Sequence, residues 1–168
     1  MWNAFAAIGG VIALARAATG QAPTYQQSYS VPDWVDAAIA RAGLDRTIAV
    51  EARLNPFILH ADFDGDGRPD AALLVADKSS GKKGIAIVHR ATGRVFVVGA
   101  GRANSNGGDD FSWMDTWTIF EKGPVRRGAT REAPPVLKGD GLLVAKSEAA
   151  DAILWWDGTT YRWYQQGD

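Results

Sequence analysis

The stretch from Asp62 to Asp70 reads Asp-Phe-Asp-Gly-Asp-Gly-Arg-Pro-Asp and places four aspartates around two glycines within nine residues. Carboxylates this close to one another repel unless a cation lies among them. The flanking segments, 57–61 and 71–76, are short and apolar, and segments of this kind are typical of strands rather than of the helices beside an EF-hand loop. The pattern therefore predicts a strand–loop–strand corner.

Calcium loops of the D-x-D-x-D-G type place their oxygen ligands at fixed positions. Positions 1, 3 and 5 provide carboxylates, a glycine at position 6 permits the turn, and position 7 provides its backbone carbonyl. In this chain those positions are occupied by Asp62, Asp64, Asp66, Gly67 and Arg68. The spacing therefore predicts a calcium site.

Two further positions separate this loop from an EF-hand. Asp70 stands at position 9, where it can bind the ion directly or through water, whereas position 12 is Leu73 instead of the bidentate Glu of an EF-hand. Since aspartate and glycine also favour turns for conformational reasons, a turn without a metal is the alternative interpretation. A loop of this kind can complete the coordination shell of its ion, so we expect a structural rather than a catalytic calcium.

The element from Leu59 to Val75 resembles the calcium loops of the FG-GAP and VCBS repeat families, which build β-propeller blades. The resemblance implies calcium held by the following groups: Asp62, Asp64, Asp66, the carbonyl of Arg68, and Asp70. It does not imply a propeller, because the motif occurs once. The segments around Trp113 and Trp156 resemble those of small exported bacterial proteins, and this second resemblance implies no activity.

Composition excludes several classes of function. The chain has 168 residues and a net charge of −1, so no basic surface is expected to bind nucleic acid. It has no cysteine, which excludes disulfides, thiol catalysis and cysteine-based metal sites. An apolar fraction of 46% is ordinary for a globular domain of this length.

The N-terminus predicts export. Residues 4–15 form an unbroken apolar run, although Lys and Arg are missing before it. Ala15-Arg16-Ala17 provides a site for signal cleavage, and Gly20-Gln21-Ala22 is a second candidate. We expect a signal peptide over 1–22, a flexible lead-in over 23–30, and a single calcium-loop β-rich domain over 31–168. An uncleaved anchor and a loose amphipathic tail are the alternatives. The expected location is periplasmic or secreted, with no stable membrane span after signal removal.

Hydrophobic periodicity predicts an α+β fold. Apolar residues at helical spacing between Trp34 and Ala42 predict one N-terminal helix, which Gly43 ends. From Phe57 onward the signals are mainly those of strands, with hairpins around 91–93 and 157–160 and a long loop over 122–138. These signals predict a mainly antiparallel sheet, or a half-open barrel, of about seven strands.

Aromatic residues are concentrated in the second half of the chain. Tryptophan on a sheet surface can stack on sugar rings or fill a pocket of a partner protein, and cross-strand packing is the alternative. We expect a ligand or partner surface, or additional metal ligands from its acidic members, at the following residues: Asp109, Asp110, Trp113, Trp117 and Trp156.

Three hypotheses of function follow. The first is an exported binding module for a carbohydrate or protein, with calcium in a structural role. The second is a periplasmic inhibitor or immunity-type interaction protein. The third is a metal-dependent hydrolase with His60 as its base, which requires an open coordination position. A serine-nucleophile motif is missing from the sequence, so a binding protein is favoured over an enzyme.

Overall fold

A computed structural model describes residues 30–167 of the chain. The predicted signal peptide and nearly all of the predicted lead-in lie outside the described residues. Within residues 30–167 there is one α-helix, α1, together with nine strands in two antiparallel sheets. The predicted α+β fold, mainly antiparallel with a helix on the N-terminal side, is confirmed.

Sheet A contains the first five strands. Its order is β1-β3-β4-β5, and β2 also pairs with β3, next to β1 along the same edge. All of these pairings are antiparallel. The strands are β1 (Ile48–Val50), β2 (Ile58–Leu59), β3 (Ala71–Asp77), β4 (Lys83–Val88) and β5 (Val95–Gly99).

Sheet B is a four-stranded meander in chain order, β6-β7-β8-β9. Its strands are β6 (Thr116–Phe120), β7 (Gly141–Lys146), β8 (Ala150–Trp156) and β9 (Tyr161–Gly167). A bulge shifts the register of β8 and β9 next to Asp151. The two sheets are separate and are not closed into a barrel, so of the two predicted alternatives the mainly antiparallel sheet describes the fold. Closing a barrel requires ladder pairing between the edge strands, whereas these sheets pack face to face.

Helix α1 (Asp33–Arg41) covers the outer face of sheet A. Pro32 precedes the helix, and Asp33 and Asp36 lie in its first turn, where the helix dipole favours negative charge. Gly43, in the left-handed conformation at φ +69°, follows the helix and ends it as predicted.

The layers are therefore helix, sheet A and sheet B, with a hydrophobic core at each contact. The outer core lies between α1 and sheet A and includes Val35, Ala38 and Leu73. The intersheet core lies between the sheets and includes Leu74 and Leu142. Because sheet A is buried on both faces, β3 and β4 are nearly continuous apolar runs rather than alternating ones.

The two strands predicted beside the aspartate loop, 57–61 and 71–76, correspond to β2 and β3, and strand β1 was not predicted. The hairpins between β4 and β5 and between β8 and β9 lie where the turn residues predicted them, and 121–140 connects β6 to β7 without a helix or strand. None of the helices within residues 30–167 is both long and apolar enough to cross a membrane.

Candidate metal centre

The aspartate loop, residues 62–70, connects β2 to β3 at one corner of sheet A. Two backbone hydrogen bonds to the carbonyl of Ala61 close it, from the N–H of Phe63 at 3.1 Å and from that of Asp70 at 2.8 Å. The side chain of Phe63 is fully buried in the intersheet core. The loop is thus anchored to the fold while its central residues remain exposed.

Backbone N–H groups converge on the carboxylates of the loop. Asp62 Oδ1 accepts from Gly65 at 2.9 Å and from Asp66 at 3.0 Å, and its Oδ2 accepts from Gly67 at 2.9 Å. Asp64 Oδ1 accepts from the N–H of Asp66 at 3.1 Å. Both glycines have positive φ, +82° at Gly65 and +85° at Gly67, so the winding depends on residues without a Cβ.

The geometry of the loop fits a shared cation. One carboxylate oxygen from each of Asp62, Asp64 and Asp66 lies within 4.8 Å of the other two. Calcium binds oxygen at about 2.3–2.6 Å, so ligands on opposite sides of one ion lie about 5 Å apart. These three side chains can therefore hold a metal ion between them.

The carboxylates of the aspartate loop lack cationic partners. Within residues 30–167, no lysine or arginine nitrogen lies within 4 Å of a carboxylate oxygen of the four loop aspartates. Elsewhere in the domain, Asp109 pairs with Lys82, Asp115 with Lys146, and Asp157 with Arg162. The loop thus groups several acids without a compensating lysine or arginine side chain.

Asp70 is fully buried and ties the loop to the next hairpin. Its Oδ2 accepts from the N–H groups of Phe63 at 3.0 Å and Asp64 at 3.2 Å, and its Oδ1 accepts from that of Arg90 at 2.8 Å. The pKa of Asp70 is raised to about 6, mainly by burial and in addition by the charge of Asp64. The hydrogen bond from the Arg90 N–H opposes this rise. A nearby cation would favour the ionised form.

His89 joins the aspartate loop to sheet B. Its Nδ1 lies 3.1 Å from Asp64 Oδ2, and its Nε2 lies 2.8 Å from the hydroxyl of Tyr161 on β9. Burial lowers the pKa of His89, and the charge of Asp64 partly offsets that lowering. Burial raises the pKa of Tyr161 far above its ordinary value, so its hydroxyl keeps its proton.

The two partners of the imidazole assign its tautomer. Because Nδ1 of His89 faces a carboxylate, we place the imidazole proton there, and Nε2 then accepts from the Tyr161 hydroxyl. One ligating atom each from Asp64, Asp70 and His89 also lies within 4.8 Å of the others, so this set too can hold a metal ion. Since both ring nitrogens already have partners, His89 is better placed to orient Asp64 than to bind the ion itself.

The segment that leads into β7 packs against the loop. The N–H of Asp140 donates to the carbonyl of Asp62 at 2.7 Å. A Cβ added at Gly65 would lie 2.6 Å from the carbonyl oxygen of Lys138, and one added at Gly139 would lie 2.2 Å from that of Asp62. Glycine at both positions therefore permits the two backbones to approach closely.

Two of the predicted surface residues lie away from the loop. Asp109 pairs with Lys82, and Asp110 accepts from the N–H of Lys83 at 2.9 Å, at the end of β4 that pairs with Ala76. The aspartate loop adjoins the opposite end of β3, about 15–20 Å away along the strand. The structure therefore does not bring these two acids to the loop.

The predicted aromatic surface lies mainly in the interior. Trp117 and Trp156 belong to the intersheet core, and Trp113 packs against it with its Nε1 donating to the carbonyl of Gly107 at 3.2 Å. Their inward positions support the alternative of cross-strand packing. The loop histidine His60 is exposed, and its Nδ1 lies 3.2 Å from the carbonyl oxygen of Asp70.

A cleft of about 530 Å³ opens elsewhere, beside the edge strand β9. Trp155 and Arg162 line it from one face of sheet B, where they are cross-strand partners. The loops 103–105 and 132–135 form much of the rest of its wall. Ser105, in the loop 103–105, has a positive φ of +47°, a conformation that costs energy for a residue with a Cβ.

Sequence interpretation did not identify the contribution of His89 and Tyr161 to the site. A signal was present for His89, because the register that pairs Ala71 with Val88 places Asp70 opposite His89. No local signal points to Tyr161, which lies 72 residues from His89 and on the other sheet.

The resemblance of the loop to FG-GAP and VCBS repeats stays a prediction. Comparisons of the chain with protein-family models, with curated proteins and with solved structures give no match.

Proposed function

We propose that the aspartate loop binds calcium and that the bound ion stabilises the fold. The observation that carries this proposal is the grouping of Asp62, Asp64 and Asp66 within 4.8 Å, in a loop without a lysine or arginine partner among the described residues. Mutual repulsion of these charges is a cost that a divalent cation removes. An all-oxygen set in an exposed loop wound about glycines favours calcium over metals that prefer nitrogen or sulfur.

The remaining ligands of the proposal are the carbonyl of Arg68 and the carboxylate of Asp70. Asp70 already accepts three backbone N–H groups. A carboxylate has about four lone-pair positions, so one remains to face an ion directly or through water. The same hydrogen bonds hold Asp70 in place before the ion arrives, which lowers the entropic cost of binding.

Calorimetric titration of chelator-treated protein tests the calcium site. We expect heat on addition of calcium and a higher melting temperature, since a ligand at 100 times its Kd stabilises the native state by about 2.7 kcal/mol. Asp66→Asn should weaken binding with little effect on the apo fold, because Asp66 is exposed and an amide oxygen can still accept from Arg68.

Asp109→Asn is the matched control, since Asp109 pairs with Lys82 at the far end of sheet A. It should leave calcium binding unchanged. If calcium produces neither heat nor a shift in melting temperature in the wild type, the proposal is wrong. Equal binding by wild type and Asp66→Asn would show that the negative charge of Asp66 does not contribute to calcium affinity, because an amide oxygen can also bind calcium.

We propose further that the domain is an exported binding module for a carbohydrate or a protein. The N-terminal apolar run supports export, and the cleft beside β9 supports ligand binding. Trp155 offers a partly exposed ring on the same face as the guanidinium of Arg162. An aromatic ring beside a planar donor suits a sugar, which stacks its apolar face and hydrogen-bonds through its hydroxyls.

Binding of the purified protein to a panel of envelope saccharides, compared with Trp155→Ala, tests the cleft. We expect at least one saccharide to bind the wild type and to bind the variant at least tenfold more weakly. Unchanged melting of the variant would show that the fold is retained. Copurification of a stoichiometric enzyme from an envelope fraction would instead favour the inhibitor alternative, and absence of any bound glycan or protein would contradict both.

A further inference from the structure

Two buried side chains, His89 and Tyr161, form a continuous chain of hydrogen bonds with the partly exposed Asp64. Asp64 belongs to the aspartate loop, His89 follows β4 in sheet A, and Tyr161 begins β9 in sheet B. His89 Nδ1 lies 3.1 Å from Asp64 Oδ2 and His89 Nε2 lies 2.8 Å from the Tyr161 hydroxyl, and in the tautomer assigned above Nδ1 donates to Asp64 and Tyr161 donates to Nε2. His89 is 2% exposed and Tyr161 is 3% exposed, so water does not compete for these bonds.

Aromatic packing fixes the orientation of the imidazole. The ring of His89 lies 4.8 Å from that of Phe96 on β5 and 4.8 Å from that of Trp156 on β8, measured between centroids. Phe96 and Trp156 belong to different sheets, so the imidazole sits at the contact between sheets A and B. A ring held in this way can present its N–H to Asp64 in one direction only.

A second contact joins the aspartate loop to sheet B. The N–H of Asp140, next to the first residue of β7, donates to the carbonyl of Asp62 at 2.7 Å. Both predicted calcium ligands at the start of the loop, Asp62 and Asp64, are therefore bonded to groups that depend on sheet B. Ordering the loop around an ion and packing the sheets together should stabilise each other, because linkage between two equilibria is reciprocal.

We propose that His89 and Tyr161 are positioning residues for Asp64, and that calcium at the aspartate loop thereby fastens sheet A to sheet B. This inference rests on the proposed calcium site. Groups that orient a metal ligand from outside the coordination shell commonly contribute 10–100-fold to metal affinity. A ligand carboxylate that is already held in place loses less conformational entropy when the ion binds. By holding Asp64, His89 would lower this entropic cost and so raise calcium affinity.

Two substitutions of His89 separate its donor from its bulk. In His89→Asn the amide nitrogen can take the place of Nδ1 and donate to Asp64, whereas His89→Leu fills a similar volume without a donor. We expect His89→Leu to lower calcium affinity by about 10–100-fold in calorimetric titration. We expect His89→Asn to retain affinity within about threefold of wild type, since one donor hydrogen bond is preserved.

Tyr161→Phe removes one hydroxyl while keeping the ring. One hydrogen bond contributes about 0.5–1.5 kcal/mol, so calcium affinity should fall by about 2–10-fold. Tyr164→Phe is the matched control, because Tyr164 lies on the same strand, is 2% exposed, and accepts from Gly128 away from the loop. It should lower stability without changing calcium affinity.

A spectroscopic measurement gives a readout that packing alone would not move. The chain has two histidines, so ¹⁵N imidazole spectra are readily assigned with a His60→Gln variant. We expect His89 to show a protonated Nδ1 and a hydrogen-bonded Nε2 in wild type, and the Nε2 signal to shift in Tyr161→Phe.

The outcomes distinguish this inference from the calcium proposal. If the wild type binds no calcium, the calcium proposal fails. If the wild type binds calcium and both Tyr161→Phe and His89→Leu bind it equally well, only the positioning role fails. Loss of affinity in His89→Asn as large as in His89→Leu would also overturn it, because the donor would then be irrelevant. A proton on Nε2 of His89 in the wild type would overturn the hydrogen-bond chain itself.

Discussion

Sheets A and B share a plan and differ at one corner. The chain reads Leu-Leu-Val-Ala in β3 at 73–76 and again in β7 at 142–145, and each of these strands continues through two hairpins to a final strand. The chain enters β3 through the nine-residue aspartate loop, whereas it enters β7 through Lys138-Gly139-Asp140. Since sheet B forms its meander without clustered acids, the meander itself does not require them. The acids of the first corner therefore call for an explanation in terms of a ligand.

The sheets also differ in what covers their outer faces. Helix α1 packs on sheet A, so that Leu73 and Leu74 are both buried although they point to opposite faces. On sheet B the irregular segment 121–140 takes the place of the helix, and Leu142 is buried while Leu143 is half-buried. The same four-residue sequence thus has different environments in the two sheets. Strand geometry determines which side chains point to which face, and the layer that packs on a face determines whether they are buried.

Truncating the outward-facing leucine of each sheet, Leu73 in β3 and Leu143 in β7, would test this difference most strongly. Leu73→Ala opens a cavity in the outer core between α1 and sheet A and should lower the free energy of unfolding by about 2–5 kcal/mol. Leu143→Ala should cost about 1 kcal/mol, near the centre of the distribution for single substitutions, because its side chain already meets solvent. Urea denaturation followed by tryptophan fluorescence measures both. Equal losses would mean that the irregular segment covers sheet B as completely as α1 covers sheet A.

The two glycines of the aspartate loop provide the next largest contrast. Gly65→Ala and Gly67→Ala both place a Cβ at positive φ, which costs about 1–2 kcal/mol. Only at Gly65 would that Cβ meet backbone, 2.6 Å from the carbonyl oxygen of Lys138, whereas Gly67 has nothing within 4 Å. Gly65→Ala should therefore be less stable than Gly67→Ala by about 1–3 kcal/mol.

Thermal melting of Gly65→Ala and Gly67→Ala in the presence of chelator measures their difference in stability without a contribution from ion binding. Two variants of equal stability would show that the loop does not press against the entry to β7. The contact between the aspartate loop and the segment 138–140 would then not stabilise the fold, and the loop would be coupled to sheet A but not to sheet B.

Sequence predicted the features that depend on neighbouring residues. Helix α1 was predicted from apolar residues at helical spacing that are followed by Gly43. The aspartate loop was predicted from candidate ligands that are close together along the chain. Strand β1 was missed because three residues, Ile48–Val50, are too few for a periodic signal. The local sequence pattern was sufficient for elements that are determined by residues close together along the chain.

What sequence did not predict depends on which surfaces meet. Strand alternation places Trp155 and Trp156 on opposite faces but does not say which face is covered, and the structure buries Trp156. The division into two sheets and the contact of His89 with Tyr161 are likewise non-local. Asp109 and Asp110 follow β5 in sequence, yet the register of β3 and β4 places them at the far end of the sheet from the aspartate loop.

The smallest expected effect compares the two hairpins that follow β4 and β8. His89 occupies the first position after β4, and Asp157 occupies the first position after β8. Asp157 Oδ1 accepts from the N–H groups of Thr159 at 2.7 Å and Thr160 at 2.8 Å, and its Oδ2 pairs with Arg162 at 2.6 Å. The Thr160 N–H and then Arg162 lower the pKa of Asp157 to about 2.

The sign of the pH dependence follows from that depression. An unfolded aspartate titrates near 3.9, so the stabilisation by ionised Asp157 is complete above about pH 4 and is lost as pH falls through about 2. Melting curves between pH 6 and pH 2 should therefore fall more steeply for wild type than for Asp157→Asn, by a small margin because the pair is exposed to solvent. Parallel curves would mean that backbone geometry alone holds this hairpin, and the electrostatic contrast with the buried His89 hairpin would disappear.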